Sequence, residues 1–178
     1  MDSRKILSFK RRRLGLTNYK RRLSLLKSGK LRFVIRKTNK RIICQAVKYN
    51  VKGDEVLLTV SSDELDEFKW KHSFNNLPAS YLVGFLFGKK AQENDLDDFV
   101  VDFGRQIVTK GNKLFAVLKG ASEAGINFPY SDNKFPEENR VKGKHIENYY
   151  KENKDNFSTD VSNISDDFEK VLKKLKKI

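Results

Sequence analysis

A single cysteine, two histidines and almost no acid in its first 41 residues define this 178-residue chain by what it lacks. Cys44 has no partner for an internal disulfide. It sits in an apolar, strand-like run, where a thiol is expected to be buried, reduced and inert. His72, His145 and Cys44 show none of the spacings that hold a metal, so neither a metal site nor a cofactor is expected. No apolar segment follows the basic N-terminus in the manner of a secretory signal. The longest mostly apolar stretch, Leu77 to Phe87, is too short to span a bilayer. The expectation is a soluble, cytoplasmic protein with no membrane contact. A phosphate-loop ATPase is excluded too. The run Gly84-Phe85-Leu86-Phe87-Gly88-Lys89-Lys90 is one residue short, places Lys90 where Ser or Thr would hold magnesium, and follows no strand.

The missing acid leaves an arm of extreme charge. Residues 1–41 carry 16 Lys or Arg and one acid, Asp2, for a formal +15; the chain as a whole is +14, which leaves −1 for residues 42–178. Arg4-Lys5, Lys10-Arg11-Arg12-Arg13, Lys20-Arg21-Arg22, Lys27 and Lys30 repel one another unless a polyanion lies against them. For such an arm the polyanion of choice is nucleic acid. A solvated charge run or a localisation signal needs no apolar stripe, yet Leu16, Tyr19, Leu23 and Leu26 fall on one helical face. Thr17 is placed to cap that helix and Gly29 to end it. With 38% hydrophobic and 34% charged residues, the chain suits a modest core whose arms are ordered by a partner.

The spacing divides the chain into a basic arm with a short helix (1–30), an α/β core (31–128) and a C-terminal extension with helices (129–178). Leu31 to Lys37 alternates as a strand. Thr38-Asn39-Lys40 makes a tight hairpin, with Asn39 tolerant of positive φ, and a second strand runs from Arg41 to about Tyr49. After a turn over Asn50 to Asp54, Glu55 to Ser61 forms a third strand with Val56, Leu58 and Val60 on one face. Ser61 and Glu64 have capping-box spacing. Pro78 opens a helix that runs to about Glu93. Its smooth face of Ser80, Gly84 and Gly88 is expected to pack on the sheet. Phe99 to Phe103 reads as a central buried strand, parallel to a neighbour. Asn112 caps a helix that turns Leu114, Phe115, Leu118 and Ala121 inward and ends at Gly125. The strand-strand-strand-helix-strand-helix order implies an α/β layer sandwich with a mixed sheet. Pro136-Glu137-Glu138 starts a later helix. Lys151 to Asn163 reads as a linker. Ile164, Phe168, Val171, Leu172, Leu175 and Ile178 form the stripe of a terminal amphipathic helix that docks either on its own domain or on a partner.

Three further loci favour phosphate. Arg36, Lys37, Asn39, Lys40 and Arg41 crowd the first hairpin, Lys89-Lys90 lie near a helix end, and Thr109-Lys110-Gly111-Asn112-Lys113 precedes a helix N-terminus. A metal-dependent nuclease of ribonuclease H-like fold is the rival reading. Such enzymes need several carboxylates on strand ends, whereas the first strand offers Arg36 and Lys37. Asp102 stands almost alone, as a structural hydrogen-bond acceptor would. Composition does not separate structured RNA from DNA, and a general DNA-binding protein with a basic arm remains open.

The residues themselves resemble one family. Arg11-Arg12-Arg13-Leu14-Gly15-Leu16-Thr17-Asn18-Tyr19 with Arg22-Leu23 and Leu26-Lys27-Ser28-Gly29, Val34 to Lys40 with Ile42-Ile43, Pro78 to Gly84 with Gly88-Lys89-Lys90-Ala91, and Thr109-Lys110-Gly111 leading to Phe115 to Ala121 look like the large-subunit ribosomal protein number eighteen, in its archaeal form. The late segment Phe135-Pro136, Arg140 to Gly143 and His145-Ile146 also fits. The likeness covers about residues 10–147 in colinear order. It implies a non-enzymatic constituent of the large ribosomal subunit that binds 5S rRNA and helps attach it to 23S rRNA in the central protuberance, beside neighbouring ribosomal proteins. It also implies a core of the translational-machinery type, distantly like ribonuclease H. The RNA-facing role carries over to Arg11, Arg12, Arg13, Tyr19, Arg22, Arg36, Lys37, Asn39, Lys40, Lys89, Lys90, Lys110 and Lys119. One stretch departs: His72-Ser73-Phe74-Asn75-Asn76-Leu77 stands where the family is usually rich in Gly and Thr.

Overall fold

The computed structural model describes residues 7–154 and 159–177. Strands β1 (Leu31–Lys37), β2 (Ile42–Lys48) and β3 (Glu55–Ser61) form the expected antiparallel meander. The turn at the first hairpin is closed by the Thr38 N–H donating to the Arg41 carbonyl at 2.9 Å. Among the described residues only Lys69, Asp95 and Asp98 take positive φ without being glycine, so Asn39 does not use the left-handed region the sequence pointed to.

Strand β4 (Phe99–Asp102) runs parallel to β1, and the sheet order is β3-β2-β1-β4. The expected central strand is therefore an edge strand, and β1 is central. The apolar content of β4 has a local cause. The chain following Gly125 returns beside it, with the Phe99 N–H donating to the Asn127 carbonyl at 3.0 Å. Phe128 from that segment is buried against Phe33, ring centroids 6.2 Å apart.

A register shift between Ala46 and Val47 changes the third strand as well. Ala46 pairs with Leu58 but Val47 pairs with Val56. The extra residue flips Val56 to the opposite face, where it is 49% exposed while Val60 is fully buried.

Ser61 and Glu64 form the capping box, here on a 3-10 turn over Ser62–Asp66. Helix α3 (Leu77–Glu93) starts with Pro78 in its first turn and is capped by Asn76, whose side chain accepts from the Ala79 N–H at 2.8 Å. Helix α4 (Lys113–Glu123) is capped by Asn112, which accepts from the Phe115 N–H at 3.1 Å. The smooth face of α3 packs on α4 rather than on the sheet. A Cβ built on Gly84 would stand 2.0 Å from the Val117 carbonyl oxygen, and one on Gly120 would stand 2.1 Å from the Tyr81 carbonyl oxygen. Glycines on both helices let the two backbones touch. The opposite face of α3 covers the sheet, where Phe33 stacks on Phe87 at 4.2 Å.

Two short helices, α5 (Glu138–Val141) and α6 (Lys144–Glu152), lead to α7 (Ile164–Leu175). Helix α7 docks on its own chain: Ile164, Phe168, Val171 and Leu175 are buried, and Phe168 meets Tyr81 at 5.5 Å. Ile178 of the expected stripe lies outside the described residues. His72 Nε2 lies 3.1 Å from Asp167 Oδ2 and ties the loop before α3 to this helix.

Candidate nucleic-acid interface

All of α3, α4 and α7 lie on one side of the sheet. In β1, Phe33 and Ile35 point into that core, so the alternation of a strand sends Arg32, Val34 and Arg36 to the other face. From Leu7 onward the basic arm lies across this second face; Arg4 and Lys5 lie outside the described residues. Helix α1 (Lys10–Arg13) breaks at Gly15, which has φ +64°, and α2 (Tyr19–Leu26) follows. The cap of α2 is Asn18, one residue after the expected Thr17. Its side chain accepts from the Arg21 N–H at 3.0 Å. Thr17 is used elsewhere, its hydroxyl accepting from Arg11 Nε at 2.9 Å.

The arm is held down by its own arginines. Arg22 Nη2 donates to both oxygens of Asp54 at 2.7 and 2.8 Å, and Arg21 Nη1 donates to the Gly104 carbonyl at 3.2 Å. Lys30 pairs with Asp98 at 2.6 Å. None of the residues of α2 is fully buried, and Leu16 and Leu23 stay 56% and 58% exposed. The stripe the sequence shows is thus left largely open to solvent. Polar ties, not apolar burial, fix the arm.

Beneath the arm sits a cavity of about 190 Å³ lined by arginines from three segments: Arg11, Arg21 and Arg22 from the arm, Arg32 and Arg36 from β1, and Arg105 after β4. Asp102 closes its floor. It accepts from Arg32 Nη1 at 3.2 Å, from Arg36 Nη2 at 3.3 Å and from the Gly104 N–H at 2.7 Å. Arg36 Nη1 also donates to the Asp102 carbonyl at 2.6 Å. Asp102 is therefore a structural acceptor inside an arginine cluster, and no group of His, Cys, Asp and Glu among the described residues could hold a metal. Asp54 bridges Arg22 and the buried Arg32. Burial pushes its carboxyl up, but the hydrogen bonds and charges of the two guanidiniums outweigh this and hold it below the ordinary carboxylate range.

The residues predicted from sequence fall into three groups. Arg11, Arg22 and Arg36 share the cavity. Arg12 and Arg13 are exposed on α1, and Tyr19 stands half-buried at the start of α2, 5.9 Å from the Phe9 ring.

Lys37, Asn39 and Lys40 form the exposed hairpin tip. That tip is braced by Asn75, whose side-chain amide donates to the Thr38 and Asn39 carbonyls at 3.1 and 2.8 Å. Asn75 lies in the loop His72–Leu77. Lys110 is exposed in the loop before α4. Gln106 Nε2 donates to the Lys37 carbonyl at 3.3 Å and sets this loop beside the hairpin; burial and then the nearby Lys37 charge lower the Lys113 pKa.

Lys89, Lys90 and Lys119 belong to the helical layer and do not line the cavity. Lys90 pairs with Glu64 at 2.5 Å. Lys119 lies beside Tyr81, Glu123 and Phe168, towards α7.

Sequence reasoning missed Arg32, Asp54 and Arg105 as parts of this face. The available signal was Arg32, an arginine alternating with apolar residues in the strand that proves central.

Residues 3–100 match the family model described as ribosomal large subunit proteins 60S L5 and 50S L18. The chain is 45% identical over 143 residues to the large ribosomal subunit protein uL18 of Methanosphaera stadtmanae, covering 80% of this chain and 74% of the relative. It is 43% identical over 143 residues to the uL18 of Korarchaeum cryptofilum, covering 80% and 73%. No described helix is long and apolar enough to cross a membrane. The chain belongs to the L18 family of ribosomal proteins, structural constituents of the large subunit that are not enzymes.

Proposed function

We propose that this chain binds 5S rRNA through its arm, the open sheet face and the first hairpin, and helps attach it to 23S rRNA in the central protuberance beside neighbouring ribosomal proteins. The observation that carries the reading is the placement of charge: residues 1–41 carry +15 against −1 for the remainder, and in the fold Arg11, Arg21 and Arg22 of the arm meet Arg32, Arg36 and Arg105 of the sheet face. In this reading Arg11, Arg12, Arg13, Tyr19, Arg22, Arg36, Lys37, Asn39, Lys40 and Lys110 face the RNA, and Tyr19 stands beside Arg11 and Arg22. Lys89, Lys90 and Lys119 lie on the helical layer, where they are placed for a second RNA segment or a neighbouring protein.

The test is competition. Labelled 5S rRNA, bound at about 100 mM salt, is challenged with unlabelled 5S rRNA and with duplex DNA of equal phosphate content. Preference for 5S rRNA supports the reading, and equal competition by the DNA refutes it.

A further inference from the structure

We infer that the arginine cavity between the arm and the sheet is a built site for one phosphate group. The inference rests on reading this face as the RNA interface and adds the point at which a phosphate enters it.

Six guanidiniums line the space, and among the described residues only two carboxylates, Asp54 and Asp102, answer them. Arg32 is the decisive residue. Its side chain is 4% exposed, and its Nε–H is buried with no hydrogen-bond partner although both Nη atoms are engaged. A buried N–H without a partner is costly and calls for an acceptor. Arg105 supplies a second unspent fork, since among the described residues it makes no ion pair.

Two glycines at positive φ leave room for the guanidiniums of Arg105 and Arg36. A Cβ on Gly15 would stand 2.6 Å from Arg105 Nη1, and one on Gly104 would stand 3.0 Å from Arg36 Cζ. The Gly104 backbone lies flat against the Arg36 guanidinium, and the Gly15 backbone meets the end of the Arg105 fork. Planar forks match phosphate oxygens two at a time. A water needs only ~10–15 Å³ of such space, so about 190 Å³ admits a phosphate with part of its hydration.

The experiment follows the arginine Nε–H signals of the ¹⁵N-labelled full chain by NMR. Inorganic phosphate and dimethyl phosphate are titrated separately, each against sodium chloride at matched ionic strength. The expected result is a saturable one-to-one shift of the Arg32 Nε–H with phosphate and none with chloride. In R105Q the phosphate affinity falls about tenfold. R105K retains the charge but not the fork and falls between.

Binding of dimethyl phosphate, with R105Q also weakening 5S rRNA about tenfold and the charge control K151Q leaving it unchanged, identifies the RNA backbone as the source. Binding of inorganic phosphate alone identifies a free or terminal phosphate. The inference is overturned if neither phosphate moves the Arg32 signal beyond chloride, or if R105Q titrates as the wild type. Arg105 is exposed and unpaired, so R105Q is expected to melt with the wild type. Failure here with salt-steep, selective 5S rRNA binding intact removes the cavity site alone. Saturable phosphate binding without 5S rRNA preference removes the proposed function and leaves the site standing.

Discussion

Asp54→Asn separates what holds the arm from what attracts RNA. In the free protein Asp54 joins Arg22 of the arm to the buried Arg32 of β1. Removing one partner of a fully buried ion pair costs about 3–5 kcal/mol, whereas an exposed pair is worth roughly 0–1 kcal/mol. This case lies between. The Arg32 side chain is 4% exposed but keeps Asp102, while the Asp54 and Arg22 side chains are 24% and 31% exposed. Asparagine also retains an acceptor oxygen. The expected loss is about 1–2 kcal/mol, or a Tm lower by roughly 2–8 °C for a chain of this size.

RNA binding should move the other way. One negative charge beside the phosphate path is gone, and a unit charge at about 4 Å in water is worth about 1 kcal/mol. Affinity for 5S rRNA should therefore rise about fivefold at ~50 mM salt, and the gain should shrink as the Debye length contracts. Calorimetry gives the first number and filter binding the second. An unchanged Tm, or weaker RNA binding, would refute the reasoning, because Asp54 would then be either idle or a positioning element for RNA.

Asp54 also sets an acid limb. Its folded pKa is depressed, so its stabilisation is complete above the ordinary carboxylate value of ~3.9 and is lost as pH falls through the lowered folded value; below about pH 4 the wild type should lose stability more steeply than D54N in thermal melts. Gly84→Ala drives a methyl into the Val117 carbonyl, and because both groups belong to helix backbones the cost should reach at least ~1–3 kcal/mol in denaturant unfolding. Phe168→Ala removes a 2%-exposed ring from the α7 dock; a loss of ~3–5 kcal/mol is expected, and a loss under ~1 kcal/mol would mean that α7 is not docked in cis in solution. Replacing Arg11, Arg12 and Arg13 together by Ala should lower the log–log salt slope of RNA binding by about 2–3, with the Tm of the free protein nearly unchanged.

Much of this fold is written locally. The meander, the capping box at Ser61 and Glu64, the Pro78 helix start and the Asn112 cap each depend on residues within a few positions, and each stands where the sequence placed it. Long-range partners were not legible. β4 reads as central because it is continuously apolar, yet it is an edge strand whose cover comes from residues 126–128. The smooth face of α3 carries no label for what it meets, and Gly120, which meets it, lies 36 positions after Gly84. The candidate site divides in the same way. Charge density marked the arm. The partners of Arg32, however, are 22 and 70 positions away at Asp54 and Asp102, so no local window contains the cavity.

A footprint of the full chain on 5S rRNA at about 50 and about 200 mM salt tests the central claim most directly. Engagement of roughly 6–10 phosphates predicts protection of one continuous tract, with affinity falling about 10³–10⁵-fold between the two conditions. Protection that is diffuse, or an affinity that hardly changes with salt, would contradict it.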